Sequence, residues 1–477
     1  MGFMNKLYIG GEWREASDGG TFEVLNPADE SVITKVSSGT TDDAIACVNA
    51  AEDAFDGWAS LSPRERGEVL RKAYELFMDK IDDIAHLITL ENGKAGGDAI
   101  GEARYAAEFF RWYAEEAVRS DGHLGMAPAT GARILVHQKP AGISVLVTPW
   151  NYPAAMGTRK IGPALAAGCP VIVKPASETP LTMLALMPIL SEAGVPPGVV
   201  NVLPSRSSGA VVSGMLSDPR VRVVSFTGST EVGRKLLHAA ADNIVKPAME
   251  LGGNAPFIVC QDADLNAAAD GLMVAKMRNL GEACTAANRI YVHENVATEF
   301  VDLFVAKMAN LKMGDGRDHS IDVGPLVNLE TRDKVDYFVR DAVSKGAVIK
   351  LGGQKPVGKG FFYPPTVITN VPDTAECLSD EIFGPVAAIQ TFSDEMEIVQ
   401  RSNATEYGLV AYVYTSDMKR GMRISESLEF GMIGLNRGLV SDPASPFGGV
   451  KQSGLGREGG KEGMLEFQET QYISTEW

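Results

Sequence analysis

The sequence predicts an α/β fold: a Rossmann-like parallel sheet in one domain, and a second α/β domain beside it. A chain of 477 residues exceeds the roughly 250 to 300 residues at which single cores stop growing, so at least two domains are expected. From residue 142 onward, short β-branched runs alternate with helical stretches. The runs are Ile143 to Val147, Val171 to Val173, Val199 to Leu203, Val221 to Phe226 and Phe257 to Cys260, with helices expected near 153–168, 180–193, 208–217 and 230–241. Such alternation implies a parallel sheet covered by helices, with ligands bound beyond the carboxyl ends of its strands. Further strands at Arg289 to Val292, Ala387 to Phe392, Val410 to Tyr414 and Met432 to Leu435 make the second block.

The first hundred residues read as helical after a short start. Ser62-Pro63-Arg64-Glu65 is a capping box with proline at the first helical position, and Leu70, Ala73, Leu76, Phe77, Ile81, Ile84, Leu87 and Ile88 follow at helical spacing. Ala132 to Gln138 and Glu466 to Ser474 look like strands detached from either block, of the kind that serves subunit contacts.

Composition excludes several functions. The chain is 45% hydrophobic and 22% charged, an ordinary globular balance. A formal net charge of −17, scattered rather than gathered in a tail, argues against nucleic acid or an anionic membrane as partner. No segment reaches the ~18 uninterrupted apolar residues of a membrane helix, and the charged start resembles no signal peptide, so a cytoplasmic protein is expected. The five cysteines are widely spaced without Cys-x-x-Cys, and the six histidines show no His-x-x-x-His, so neither a disulfide framework nor a metal is expected.

The helix after Val221 to Phe226 opens with Thr227-Gly228-Ser229-Thr230-Glu231-Val232-Gly233. Glycine there admits close approach of a ligand to the backbone, and unpaired N–H groups at a helix N-terminus attract phosphate. The spacing is not Gly-x-Gly-x-x-Gly, and a plain β-turn-α junction reads the same way. Downstream, Met249-Glu250-Leu251-Gly252-Gly253-Asn254 precedes a lone cysteine in Arg278-Asn279-Leu280-Gly281-Glu282-Ala283-Cys284. Singly, Glu250 reads as a capped turn and Cys284 as a small buried residue. Their combination with Thr148-Pro149-Trp150-Asn151-Tyr152-Pro153 outweighs those readings.

With Lys174-Pro175-Ala176-Ser177, Phe226-Thr227-Gly228-Ser229, Glu381-Ile382-Phe383-Gly384-Pro385 and Pro446-Phe447-Gly448-Gly449 in the same order and spacing, the chain resembles the aldehyde dehydrogenase superfamily along essentially its whole length. The resemblance implies an NAD(P)-binding domain at 1–122 and 142–250, a catalytic domain at 251–436, and oligomerisation or bridging segments at 123–141 and 437–477. It implies Cys284 as nucleophile, with the Asn151 amide and the Cys284 backbone N–H holding the oxyanion, and Glu250 as general base for the thiol or for the hydrolytic water. It places Lys174 on the adenosine ribose, Gly228 and Ser229 near the pyrophosphate, Glu381 and Phe383 at the nicotinamide end, and Trp150 in the same cleft. Ser177 stands where NAD-restricted members often carry glutamate, which favours NADP and leaves NAD use open, although Glu178 beside it works the other way.

For the substrate, Arg159, Arg278 and Ser441 match the carboxylate-binding set of succinate-semialdehyde dehydrogenases, and two guanidiniums with a hydroxyl would hold an ω-carboxylate. The plainer reading is that the arginines lie on helix surfaces or in internal ion pairs. Two positions depart from this subfamily: Ala286 replaces a second cysteine, so no disulfide switch at Cys284 is expected, and Arg437 follows Asn436 where glutamate or threonine is more familiar. The expected partner is a small aldehyde, with a homodimer or homotetramer as the assembly. Glutarate semialdehyde and lactaldehyde are the alternative substrates. A non-catalytic protein on the same fold is opposed by the joint presence of Cys284, Glu250, Asn151, Lys174 and Glu381.

Overall fold

The computed structural model of the chain describes residues 3–476. Among these residues the strands form four sheets. The largest orders its strands Gly454–Leu455, Lys246–Glu250, Val221–Thr227, Ile143–Val147, Val171–Lys174, Val200–Val202, Leu7–Ile9 and Glu12–Arg14. Its five central strands are parallel, and antiparallel strands close both edges. The chain builds outward from Ile143–Val147 through Val171–Lys174 to Val200–Val202, then returns to the other side with Val221–Thr227. That reversal creates a crevice between the carboxyl ends of Ile143–Val147 and Val221–Thr227, where open α/β sheets bind ligands. Both strands are almost wholly buried, as expected for a sheet covered on two faces.

The second sheet orders Val348–Leu351, Thr366–Thr369, Val386–Phe392, Ala287–His293, Ala255–Val259, Val410–Tyr414 and Met432–Leu435, all parallel except the first pair. The run Phe257 to Cys260 therefore belongs here and not with the first run of strands that the alternation grouped it with. It follows Lys246–Glu250 without an intervening helix, and the short link Leu251 to Asn254 carries the chain from one sheet into the other.

Helices precede and flank the first sheet: Thr41–Ala59, Pro63–Asp79, Ile81–Asn92 and Gly96–Glu116. The capping box forms, with the Ser62 hydroxyl accepting from the Glu65 N–H and the Glu65 carboxylate accepting from the Ser62 N–H. The short start holds more strand than helix, since it supplies two edge strands of the large sheet and the hairpin Thr21–Leu25 with Val32–Ser37. The detached strands pair with one another: Gln468–Thr475 runs antiparallel to Arg133–Pro140, which pairs in turn with His123–Met126. The tail does more than extend outward, because Gly454–Leu455 pairs with Lys246–Glu250 on the way.

The helix Ala155–Ala167 is buried along its whole length. The Trp58 indole N–H donates to its Leu165 carbonyl at 3.1 Å, tying it to Thr41–Ala59. Trp58→Phe keeps most of the apolar volume and removes this bond, while the Gly168 N–H still donates to the same carbonyl at 3.1 Å, so the cost is that of one hydrogen bond, about 0.5–1.5 kcal/mol. The urea midpoint of the variant is expected to fall while turnover per folded molecule is unchanged; an unchanged midpoint would show that the bond carries no stability.

Candidate active site

The crevice opens into a cavity of about 250 Å³. The loop after Ile143–Val147 delivers Trp150, Asn151 and Tyr152; the turn after Val221–Thr227 delivers Gly228 and Ser229; the chain before Ala287–His293 delivers Arg278 and Cys284. Arg159, Glu381, Phe383 and Ser441 also line it. Ten of the positions picked out for catalysis, cofactor or substrate, Trp150, Asn151, Arg159, Gly228, Ser229, Arg278, Cys284, Glu381, Phe383 and Ser441, thus meet around one space. Glu250, Lys174 and Ser177 are not in its lining, and Arg437 is exposed, donating to the Leu439 carbonyl at 3.2 Å.

Backbone geometry aims the thiol. The chain leaves the helix Leu265–Met277 and takes three successive left-handed residues, Asn279 (φ 50°), Leu280 (φ 52°) and Gly281 (φ 82°). Leucine in that region is costly, and such strain gathers at functional sites. A β-carbon on Gly253 would lie 2.5 Å from the Cys284 carbonyl oxygen, so only glycine fits where the inter-sheet link passes Cys284.

Burial sets the resting charge. It pushes the Cys284 thiol up to about 12; the Glu381 and Glu250 carboxyls add to this, and the Arg159 and Arg278 guanidiniums oppose it. Glu250 is buried at the carboxyl end of its strand, between Thr227 and Gly454 and against Gly448, and neither of its carboxyl oxygens has a hydrogen-bond partner. Burial, and then the Glu458 carboxylate, hold it well above the usual carboxylate range, against Lys160, Arg159 and Arg457. A carboxyl so placed is a strong base once ionised. The Asn151 amide donates to the Glu282 carbonyl at 3.0 Å, and its oxygen has no partner.

The arginines combine both sequence readings. Arg159 lines the cavity, yet lies 3.5 Å from the Glu458 carboxylate, bonds the Tyr105 hydroxyl and packs 4.1 Å from the Phe447 ring. Its neighbour Lys160 pairs with the same Glu458 and donates to Ser225 at 2.9 Å. Arg278 stands 5.7 Å from the Tyr152 ring.

Residues for a dinucleotide are present. Ser229 caps the helix Thr230–Ala241, leaving N–H groups and the positive end of the helix dipole at the crevice. Trp150 and Phe383 meet edge to face at 5.4 Å, and Glu381, pushed up to about 7 by burial, accepts from the Gly253 N–H at 3.4 Å. Further along, burial lowers the Lys174 ammonium to about 8, and both Glu178 and Arg206 act on it electrostatically. Sequence reasoning missed Arg206, Tyr105 and Glu458. Arg206 and Tyr105 are far from the motifs in the chain, and Glu458, although it follows Pro446-Phe447-Gly448-Gly449 closely, carries no local sign that it pairs with residues 159 and 160.

A cysteine in the cavity and a buried carboxyl behind it, at the switch point of a Rossmann-like sheet, suit an oxidoreductase of the nicotinamide-dependent, thiol-dependent class. The model of the Aldehyde dehydrogenase family matches residues 13–473, and the chain belongs to that family. A succinate-semialdehyde dehydrogenase of Paenarthrobacter nicotinovorans is 50% identical over 442 residues, 93% of this chain and 98% of the relative. A glutarate-semialdehyde dehydrogenase of Pseudomonas putida is 45% identical over 471 residues, 99% of this chain and 98% of the relative. The crystal structure of a succinate-semialdehyde dehydrogenase from Burkholderia pseudomallei superposes with a TM-score of 0.97 at 43% identity, covering 99% of this chain and 98% of that one. No helix among the described residues is long and apolar enough to cross a membrane.

Because burial raises the thiol, little thiolate exists at neutral pH without help from a base. Alkylation of Cys284 by iodoacetamide in the cofactor-free protein is expected to climb with pH through about 9 without levelling off. A plateau near neutral pH would contradict that electrostatic account.

Proposed function

We propose that this chain oxidises succinate semialdehyde to succinate with NADP, and with NAD less well. The observation carrying the substrate is that Arg159, Arg278 and Ser441 line the same cavity as Cys284. A small dicarboxylic semialdehyde can place its carboxylate against the guanidiniums and its aldehyde at the sulfur. Charge-assisted pairing of this kind selects an acid-bearing chain over an uncharged one.

Cys284, deprotonated by Glu250 directly or through water, attacks the aldehyde carbon. The oxygen that gains charge lies toward the Asn151 amide and the Cys284 backbone N–H, donors fixed before reaction begins. Glu381 and Phe383 would hold a nicotinamide, which when bound would accept the hydride lost from the thiohemiacetal carbon as the thioester on Cys284 forms. After giving up the thiol's proton to solvent, Glu250 takes the proton of the water that opens the thioester, that proton returns to the Cys284 thiolate, and succinate leaves.

Lys174 and Ser177, with Arg206 acting on the same lysine, suit a 2′-phosphate better than a bare ribose hydroxyl. Glutarate semialdehyde is the second reading, favoured by the Pseudomonas putida relative; one added methylene changes discrimination by only about 1–3 kcal/mol. The five cysteines, all unpaired among the described residues, fit a reducing cytoplasm. We place a homodimer or homotetramer contact on the three-stranded sheet, where Leu124, Met126 and Tyr472 are 68%, 58% and 56% exposed.

Initial rates with succinate semialdehyde and with butyraldehyde test the substrate. Arg278→Ala, which leaves the Glu458 pairs in place, is expected to cost roughly 10- to 100-fold in kcat/KM for the semialdehyde and under about threefold for butyraldehyde. Equal losses on both would refute the carboxylate pocket. Ser177→Glu is expected to raise KM for NADP by at least about tenfold through charge repulsion while NAD changes little; an unchanged NADP/NAD ratio would refute the cofactor reading.

A further inference from the structure

Two loops from different sheets must hold the two oxyanion donors in register, and one buried side chain reaches both. The Asn279 amide donates to the Asn151 carbonyl at 2.9 Å and to the Glu282 carbonyl at 3.0 Å. Glu282 is two residues before Cys284, and its carbonyl also accepts from the Asn151 amide at 3.0 Å. Asn279 is itself held on several sides. Its N–H donates to Asp98 at 2.7 Å, its carbonyl accepts from the Glu282 N–H at 2.8 Å, and it is only 2% exposed. From the other side, Lys94 donates to the Asn151 carbonyl at 3.0 Å and pairs with Glu102, whose second oxygen accepts from the Ala154 N–H at 2.9 Å.

We propose that Asn279 is a positioning residue for aldehyde oxidation: its amide ties the Asn151 loop to the Cys284 loop and so fixes the spacing of the two oxyanion donors, with Lys94 as backing. The left-handed backbone at Asn279 fits this role. Asparagine tolerates that conformation better than most residues, and from there its amide reaches the Asn151 and Glu282 carbonyls. The bonds are buried, so an error in donor placement cannot be absorbed by solvent, and placement errors near 1 Å cost large factors in rate. The reading rests on Asn151 being an oxyanion donor, but not on which aldehyde is used.

The test is a double-mutant cycle on the full-length protein with both butyraldehyde and succinate semialdehyde. Asn279→Gly removes the amide while accepting the left-handed backbone. Asn279→Asp keeps shape but cannot donate, and stands in if the glycine variant folds poorly. Either is expected to lower kcat roughly 10- to 100-fold with KM and cofactor affinity within about twofold, and the loss is expected to shrink at least about threefold in an Asn151→Ala background. Equal losses in both backgrounds, or a change confined to KM, would overturn the proposal. If Asn151→Ala by itself costs nothing, it is the oxyanion assignment that falls.

Discussion

The strand Lys246–Glu250 ends in one sheet and Ala255–Val259 begins the next, so at most about 17 Å of chain spans the gap between them. That tether forces the carboxyl end of the first sheet against the amino end of the second. Trp150, Gly228 and Ser229 then come from the first sheet, Cys284, Glu381 and Phe383 from the second, and Glu250 from the strand that leads from one to the other. Gly252 and Gly253 are the chemical expression of this closeness: a β-carbon at Gly253 would strike the Cys284 carbonyl. Neither sheet alone contains a complete site.

The same closeness removes water, and dehydration governs the chemistry. It raises the thiol and the Glu250 carboxyl, lowers Lys174, and obliges the permanent charges nearby to find counter-charges: Lys94 with Glu102, Lys160 and Arg159 with Glu458. Arg159 thus has one side committed to the protein and the other facing the cavity. Such pairs add little net stability, but removing one partner leaves an uncompensated buried charge.

Most strands and helices were legible because β-branched runs and helical spacing report burial directly. The motif residues were legible because glycine, proline, tryptophan and cysteine rarely fall into such a fixed order by chance. What could not be read was partnership. Phe257 to Cys260 alternates with its neighbours like any strand of the first block, and only pairing with Ala287–His293 assigns it to the second sheet. Lys94, Glu102, Lys160 and Glu458 look like solvent-facing charges in sequence yet are buried. Asn279 sits inside a recognised motif, but its importance lies in a bond to residue 151, which no local pattern encodes.

The edge strand Gly454–Leu455 of the first sheet and the Glu458 counter-charge both come from the stretch beyond residue 453, close to the end of the chain. During synthesis from the N-terminus these residues emerge after every other strand of the two large sheets. Until they do, Lys160 and Arg159 lack their carboxylate and the strand bearing Glu250 has an open edge. A nascent chain that has made every other strand of both sheets still lacks the strand that covers the edge beside Glu250 and the carboxylate that pairs with Lys160 and Arg159.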